Sequence, residues 1–445
     1  MTTPYRRAVA SLLANAQLAE GPWTRAGLTE RARIAFGADD PSWEKLARAT
    51  LARYASRDDL SVRRLAAFLR TRDAFVLVTS PQHAPLHARS LLAAEPSMRA
   101  PRWAVPALST PGDLARWLDL TPSDLAWLAD ERALERLVHD GALRHYRYTW
   151  LAKRSGGHRL LEAPKPRLCA IQRKILHEIL DLVPPHEAAH GFRRGRSVLT
   201  HARAHAGRAI VVRLDLTDFF PSIGAARVRA LFRAIGYPDE VAHVLACLCT
   251  NVAPRVCTPP ALPSNASHAE VKQRRDLLMR ARTRHLPQGA PTSPAIANLC
   301  ARRADVRLAA AAKRMGAIYT RYADDLVFSG DKDFARQASF FVPLAAGIAI
   351  DEGFVVNHRK TRIMSQATRQ HVTGLVVNRS AHASREDYDA LRALLHNCAR
   401  TGLDAQNHEG HPDFFRHLEG RVAWIASGDE ARKKKLAALL ARIAR

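Results

Sequence analysis

Two stretches of the sequence present carboxylates in a way that could hold metal ions. Asp215 closes the largely apolar run 210–214, and a β-rich run that ends in a carboxylate is typical of a central strand carrying a ligand to one edge of a sheet. Asp324 and Asp325 lie between two further β-rich stretches, which is the pattern of a hairpin with its acids at the turn. Either stretch alone also fits an ordinary strand end or turn.

Phosphoryl transfer is a chemistry that would bring three carboxylates together. Neighbouring carboxylates repel one another and raise each other's pKa unless cations neutralise them. Two Mg²⁺ ions about 4 Å apart would do so, and they can activate an attacking hydroxyl and stabilise a leaving pyrophosphate. Because side chains alternate along a strand, Asp215 and Asp218 face opposite sides, and only one of them can point straight at a shared metal.

A third segment, residues 286–294, reads Leu-Pro-Gln-Gly-Ala-Pro-Thr-Ser-Pro. Gly289 would let the backbone approach a nucleotide or a template base closely, because glycine has no side chain. A helix can begin at Pro294, which needs no amide partner. By itself the segment predicts a loop followed by a helix.

Together and in this order, the three segments resemble the palm of reverse transcriptases: an Asp followed five residues later by Phe, then Leu-Pro-Gln-Gly, then Tyr-Ala-Asp-Asp. The resemblance extends from about Tyr146 to the end of the chain. It implies an α+β fold: a right-hand polymerase with fingers, a palm of antiparallel sheet plus helices, and a helical thumb, preceded by a helical N-terminal extension. It also implies two Mg²⁺ ions, bound by Asp215, Asp324, Asp325 and the backbone carbonyl of Leu216.

The resemblance assigns further residues to the incoming deoxynucleoside triphosphate. Residues 153–164 look like the fingers hairpin that clamps the triphosphate, with Lys153 and Arg159 at its two basic positions. Gln288 and Gly289 are expected to contact the same nucleotide.

Two more residues receive roles from their place in the family pattern. Phe220 lies where the family has the side chain beneath the incoming sugar, and a large aromatic there leaves no room for a 2′-hydroxyl. Its neighbour Phe219 is the better candidate for a buried core residue. Lys360 matches a lysine near the leaving pyrophosphate, and it is a candidate general acid and catalytic residue.

Residues 370–378, Gln-His-Val-Thr-Gly-Leu-Val-Val-Asn, are typical of bacterial retron reverse transcriptases. In that family the segment lies where the palm meets the thumb, and the thumb grips a structured non-coding RNA. A-form RNA is recognised mainly by its shape, phosphates and 2′-hydroxyls. One departure is His201, which stands where retrons usually have Asn before Ala202 and His205. The expected RNA and template contacts are Arg193, Arg194, Arg196, Val372, Thr373 and Gly374.

A retron enzyme copies part of its own non-coding RNA into single-stranded DNA, primed from a 2′-hydroxyl of that RNA. Such systems act in defence against phage, usually with a separate effector protein. The alternatives are a group II intron-like or other stand-alone bacterial reverse transcriptase, and an RNA-binding scaffold with a silent polymerase core. The intact Asp215, Asp324 and Asp325 argue against the scaffold. A DNA-binding regulator built on residues 110–128 is the weakest alternative.

The composition agrees with a nucleic-acid partner. Lys and Arg number 68 against 42 Asp and Glu, a formal net charge of +26, which favours nucleic acid first and an anionic membrane second. A generally basic proteome would give the same excess. No apolar run approaches the roughly 18 residues of a spanning helix. The six cysteines form no C-x-x-C pair. We therefore expect reduced thiols, a cytoplasmic location and no membrane partner.

The elements that must position these residues fall into three predicted regions: a helical N-terminal extension at 1–105, fingers and palm at 106–378, and an RNA-binding thumb at 379–445. The extension is rich in Ala, Leu and Arg and contains one strand-like run, 75–78. It could seat RNA or an effector protein. Thr110 and Thr121, each followed by proline, predict two helix starts.

Overall fold

The computed structural model of the chain describes residues 3–57, 60–90, 98, 101–138, 141–153, 157–262 and 264–443. It separates into two compact units, Met1–Arg99 with Tyr237–Asp239, and Ala100–Gly236 with Glu240–Arg445. The fold is α+β and rich in helices. No helix among the described residues is long and apolar enough to cross a bilayer, and all six cysteines are unpaired.

The first unit is helical, as predicted, and its helices begin at capping side chains. Thr24 accepts a hydrogen bond from the Gly27 amide, and Asp40 accepts one from Ser42. Trp43 lies fully buried in the core of the unit. The helices are α1 (Thr3–Leu18), α2 (Arg25–Phe36), α3 (Pro41–Arg53), α4 (Val62–Leu69) and α5 (Asp73–Val78).

The predicted strand at 75–78 is wrong, because these residues lie in α5. Phe75 and Val78 are buried, whereas Val76 and Leu77 are 45% and 48% exposed. Residues three apart share one face of a helix, so this spacing places Phe75 and Val78 together in the core. Tertiary packing therefore overrides the β propensity of the valines.

The second unit begins with the predicted helix pair, α6 (Pro111–Trp117) and α7 (Pro122–Ala129). Thr110 and Thr121 cap these helices as expected. Trp127 packs edge-on against the ring of His145, and Asp124 is ion-paired with Arg167 at 2.9 Å. The helix face that a DNA reader would expose is thus packed against the chain itself, which favours a structural role.

The strands form two hairpins and one antiparallel sheet with the order β4-β5-β3-β6. The first hairpin, β1–β2, is the one predicted at 153–164; its tip, residues 154–156, lies outside the described residues. The strands are β1 (Tyr146–Ala152), β2 (His158–Pro164), β3 (Ile210–Asp215), β4 (Ala317–Tyr322), β5 (Asp325–Gly330), β6 (Arg362–Ser365), β7 (His371–Val372) and β8 (Leu375–Val376).

Helices cover both faces of the four-stranded sheet. The remaining helices are α8 (Pro166–Glu178), α9 (Val198–Arg203), α10 (Ala225–Ile235), α11 (Asp239–Cys249), α12 (His268–Ala281), α13 (Ser293–Cys300), α14 (Arg302–Arg314), α15 (Lys332–Asp351), α16 (Arg385–Thr401), α17 (Phe414–Ile425) and α18 (Glu430–Leu440), with 3₁₀ turns at Leu134–Leu137, Leu180–Leu182, His358–Lys360 and Asp404–Gln406. On one face, Phe328 of β5 packs on Phe341 of α15, with ring centroids 4.8 Å apart. On the other, Val211 and Val327 share a core with α16, α17 and α18. Burial of each large apolar side chain contributes about 1.5–3 kcal/mol, so both faces stabilise the sheet.

Candidate active site

Three carboxylates meet at one edge of the four-stranded sheet. Asp215 is the last residue of β3 and is the direct register partner of Asp325, the first residue of β5. Partnered Cα atoms in antiparallel strands lie about 4.5–5.5 Å apart. The Leu216 amide donates a 2.9 Å hydrogen bond to the carbonyl of Asp324. Residues more than a hundred positions apart are thus brought together as the sequence predicted.

A buried arginine stabilises the turn that carries Asp324. Arg321 is 1% exposed, and its guanidinium donates to both carboxylate oxygens of Asp305, at 2.8 and 2.7 Å. It also donates to the carbonyl of Ala323 at 3.1 Å, and Ala323 has a left-handed φ of 54°. Gly191 lies against the same turn, where a Cβ atom would stand 2.8 Å from the Ala323 nitrogen. Sequence reasoning gave Arg321 and Gly191 no part in the site.

Two of the three carboxylates are paired with cations. Lys360 Nζ lies 3.1 Å from Asp215 Oδ1, and Arg213 Nε donates to Asp325 Oδ1 at 2.6 Å. Burial raises the pKa of Asp325 although Arg213 opposes that shift. Burial, reinforced by the charges of Asp215 and Asp325, raises the pKa of Asp324 to about 6. Asp324 is therefore the acid whose charge is least compensated.

The donor set suits a hard divalent cation, since Mg²⁺ prefers oxygen ligands such as carboxylates. Within the described part of the chain, however, no group of three His, Cys, Asp or Glu side chains is arranged to hold a metal ion as it stands. Asp215 and Asp325 instead make the ion pairs with Lys360 and Arg213. The residues that could bind a metal here are Asp215, Asp324 and Asp325.

The two adjacent phenylalanines differ in burial in the way the sequence suggested. Phe219 is 4% exposed and packs against Phe354, with ring centroids 5.5 Å apart. Phe220 is only partly buried, and its ring centroid lies 6.0 Å from that of Phe192. Phe192 is 49% exposed and has a left-handed φ of 56°. Phe220 is therefore one of a pair of neighbouring aromatic rings.

The backbone at Gly289 makes a close approach to β2. Its φ is 128°, and a Cβ atom there would stand 3.0 Å from the carbonyl oxygen of Glu162. The Glu162 amide donates to the Gln288 carbonyl at 2.8 Å. The buried Glu162 carboxylate pairs with His285 at 2.7 Å, and although burial opposes protonation, this partner raises the pKa of His285. The Leu-Pro-Gln-Gly segment is therefore fastened to the first hairpin.

The two basic positions of the first hairpin differ in their surroundings. Lys153 follows β1, and its ammonium lies 3.6 Å from Asp218. Arg159 on β2 is exposed. Because β3 ends at Asp215, the expected strand alternation does not extend to Asp218, which also pairs with Arg280 at 2.5 Å. Sequence reasoning missed Arg280, which no local motif marks.

The residues expected to contact RNA fall into two groups. Arg194 and Arg196 are exposed in the loop before α9, while Arg193 is half-buried and donates weakly to a backbone carbonyl at 3.5 Å. Thr373 and Gly374 form the two-residue turn between β7 and β8, with φ values of 45° and 86°.

The side chain of Val372 is not available for the expected contact with RNA. Its side chain is fully buried and belongs to the core shared with the C-terminal helices. Successive residues of a strand face opposite sides, so Val372 supports the turn from within and presents no side chain to a ligand.

The segment with the unusual His201 contacts the β4–β5 hairpin, whose turn carries Asp324. His201 Nδ1 and His205 Nε2 both lie 2.7 Å from the Thr320 hydroxyl on β4. His205 Nδ1 lies 2.7 Å from the Ser329 hydroxyl on β5. Burial lowers the pKa of His201 to about 2 and that of His205 to about 3, so both rings are neutral at pH 7. His205 lies in the turn after α9, and no local pattern marks its contacts with Thr320 and Ser329, which are more than a hundred residues away.

Known proteins are similar in sequence to this chain over most of its length. The sequence model of the family described as "Reverse transcriptase (RNA-dependent DNA polymerase)" matches residues 151–377. The retron Mx65 reverse transcriptase of Myxococcus xanthus is 40% identical over 76% of this chain and 72% of its own. The retron Mx162 enzyme of the same organism is 38% identical, over 74% and 66%. The retron Ec86 enzyme of Escherichia coli is 29% identical, over 70% and 84%. The chain therefore belongs to the bacterial retron-type reverse transcriptases, and it is an RNA-directed DNA polymerase.

Proposed function

We propose that the protein copies part of a structured non-coding RNA into single-stranded DNA by two-metal nucleotidyl transfer. The observation that carries this proposal is the register pair of Asp215 and Asp325, with Asp324 joined to the same strand end through the Leu216 amide. Acids clustered this closely at a sheet edge are costly unless cations compensate them.

Two Mg²⁺ ions would be held by Asp215, Asp324, Asp325 and the carbonyl of Leu216. When bound, such ions activate the primer hydroxyl and stabilise the leaving pyrophosphate. For Asp215 to serve as a ligand it must exchange its contact with Lys360, and Asp325 must exchange Arg213. Lys360, once released, would be free to donate a proton to the pyrophosphate as general acid.

The nucleotide would be bound between the first hairpin and the sheet edge. Lys153 and Arg159 supply positive charge for its triphosphate. Gln288 and Gly289 would line the same site. The ring of Phe220 would lie beneath the sugar and exclude a 2′-hydroxyl.

The right-hand polymerase arrangement follows from these assignments. The β1–β2 hairpin would be the fingers, the four-stranded sheet with its helices the palm, and α16, α17 and α18 the thumb. On α18 the three consecutive lysines, 433–435, are exposed, and with the β7–β8 turn and the Arg194 loop they offer phosphate contacts to RNA.

Membership in the retron-type family supports further proposals about priming and biological role. Synthesis would start from a 2′-hydroxyl of the cognate RNA and leave a branched RNA–DNA molecule. The role would be in defence against phage, in the cytoplasm, with a separate effector protein. These proposals are supported by relatives that are themselves reverse transcriptases of retrons.

The test is to purify the protein from its own host together with bound nucleic acid and to sequence that material. We expect one short cDNA joined to one structured transcript. The Asp324→Asn variant should carry the transcript without the cDNA. A heterogeneous nucleic-acid pool, or an unbranched cDNA, would contradict the proposal.

A further inference from the structure

Asp218 is held between two cations beside the catalytic strand. Arg280 Nη1 donates to its Oδ2 at 2.5 Å, and Lys153 Nζ lies 3.6 Å from its Oδ1. The side chains are only partly exposed: 13% for Asp218, 25% for Arg280 and 22% for Lys153. The contacts are therefore partly shielded from water. Charge pairs in such surroundings are stronger than on an open surface.

The two cations and the carboxylate come from different elements. Asp218 follows β3 in a left-handed conformation with a φ of 47°, three residues after Asp215. Lys153 directly follows β1. Arg280 lies in the last turn of α12, where the next residue, Ala281, shares a small core with Leu160 of β2. Both cations thus belong to the region of the first hairpin, and the carboxylate belongs to the sheet.

The charges of this cluster do not cancel. One carboxylate between two cations leaves a net positive charge, which an incoming triphosphate can exploit. The proposed function requires Lys153 to bind that triphosphate, and Lys153 must then leave Asp218. A half-buried carboxylate without a partner would repel the phosphates that arrive beside it.

We propose that Arg280 is a positioning residue for nucleotide binding, which stays paired with Asp218 and keeps it neutralised while Lys153 transfers to the triphosphate. This inference rests on the proposed nucleotide role of Lys153. Arginine suits the task because its guanidinium is always charged and matches the geometry of a carboxylate. Lys153 is then the exchangeable partner of Asp218, and Arg280 is the permanent one.

The test is steady-state extension of a DNA primer on a homopolymeric RNA template, with the matching deoxynucleoside triphosphate varied. We expect Arg280→Gln to raise KM for the nucleotide about tenfold and to change kcat by less than about threefold, as expected when only binding is lost. Arg275→Gln removes the same charge from an exposed position of α12 and serves as the matched control; its KM should not change.

The double variant separates compensation of charge from a structural role. Adding Asp218→Asn to Arg280→Gln removes the carboxylate that lacks a partner, so KM should return to within about threefold of the original value. A merely structural arginine would not be rescued by a second loss of contacts. Unchanged KM in the folded Arg280→Gln variant, or failure of rescue, overturns the inference.

Two further variants keep the inference testable. If Arg280→Gln does not fold, Asp218→Asn alone decides: the inference expects KM to stay equal or fall, and a rise of more than about threefold overturns it. Lys153→Gln tests the proposed function itself. An unchanged KM in that variant removes the nucleotide role of Lys153, whereas a raised KM there with an unchanged KM in Arg280→Gln removes only the role of Arg280.

Discussion

The ammonium of Lys360 lies 3.1 and 3.2 Å from the two carboxylate oxygens of Asp215. Lys360 belongs to the 3₁₀ turn His358–Lys360, and the turn is fixed to the strand end because the Asn357 amide donates to the Asp215 carbonyl at 2.7 Å. Its cationic group therefore lies at the acid that the proposed metals need. Lys360 thus compensates the charge of Asp215 in this structure.

Replacing Lys360 with alanine should slow catalysis more than it weakens binding. A general acid typically contributes about 10²- to 10⁴-fold, so the single-turnover rate should fall about 100-fold while the dissociation constant of the nucleotide changes little. Rapid-quench primer extension measures both quantities. Lys332→Ala, at an exposed position of α15, is the control. A rate within about threefold of the original would remove Lys360 from the catalytic residues.

Asp324→Asn should abolish most activity, because it removes a proposed metal ligand and a negative charge at the proposed reaction centre. We expect a loss of at least about 100-fold, equivalent to about 3 kcal/mol of transition-state stabilisation. The measurement is incorporation of labelled nucleotide on a primed RNA template. Asp333→Asn, at an exposed position of α15, should retain full activity.

Although Asp324→Asn should lower activity, it should make the metal-free protein more stable to unfolding. Asp324 has its pKa raised from 3.8 to about 6, so protonation favours the folded state. Its contribution to stability is fully present below the unfolded value and is lost as pH rises through about 6. A rise of about two pKa units corresponds to about 3 kcal/mol.

Melting in EDTA across a pH series measures this linkage. At pH 8 the Asp324→Asn variant should unfold at a higher temperature than the original protein, and the gain should vanish by about pH 4. Added Mg²⁺ should stabilise only the original protein if the proposed ligands are right. A variant that is less stable at pH 8 would contradict the assigned electrostatics.

The sequence predicted the parts of the site that local patterns encode. Asp215 ends a β-rich run, and Asp324 and Asp325 lie in a hairpin pattern, so their strands and turn could be read directly. The ion pair of Arg213 with Asp325 could not, because it depends on the register between β3 and β5, which are more than a hundred residues apart. Strand alternation alone indicates that Arg213 and Asp215 share a face.

Other failures have the same physical origin. The valine-rich run at 75–78 has β propensity, but the helical spacing of Phe75 and Val78 matches a core that only the folded unit provides. The contact of Gly289 with Glu162 could not be read from the sequence either, because the two residues are more than a hundred positions apart. Val372 lies within a motif, and its burial follows from packing of the C-terminal helices.

Phe220→Ala should admit ribonucleotides, because it removes the ring proposed to block a 2′-hydroxyl. Primer extension with each deoxynucleotide and the matching ribonucleotide gives a kcat/KM for each. The preference for the deoxynucleotide, which is the first value divided by the second, should fall by about tenfold or more. Phe219→Ala is the matched comparison. Its ring is buried, so it should cost about 3–5 kcal/mol of stability and leave sugar selection unchanged. Unaltered discrimination in Phe220→Ala would refute the assignment.

His205 should hold the β4–β5 hairpin in place, because one neutral ring joins Thr320 on β4 to Ser329 on β5. His205→Ala would leave both buried hydroxyls without that partner and open a cavity, at a cost of about 2–4 kcal/mol in the free energy of unfolding. Because β5 begins at Asp325, we also expect kcat to fall while KM for the nucleotide stays within about threefold. His396→Ala, at an exposed position of α16, should change neither quantity. Urea unfolding and steady-state kinetics on the same preparations measure both effects. A destabilised His205→Ala enzyme with full kcat at low temperature would contradict the prediction. It would show that the ring stabilises the fold without positioning the acids.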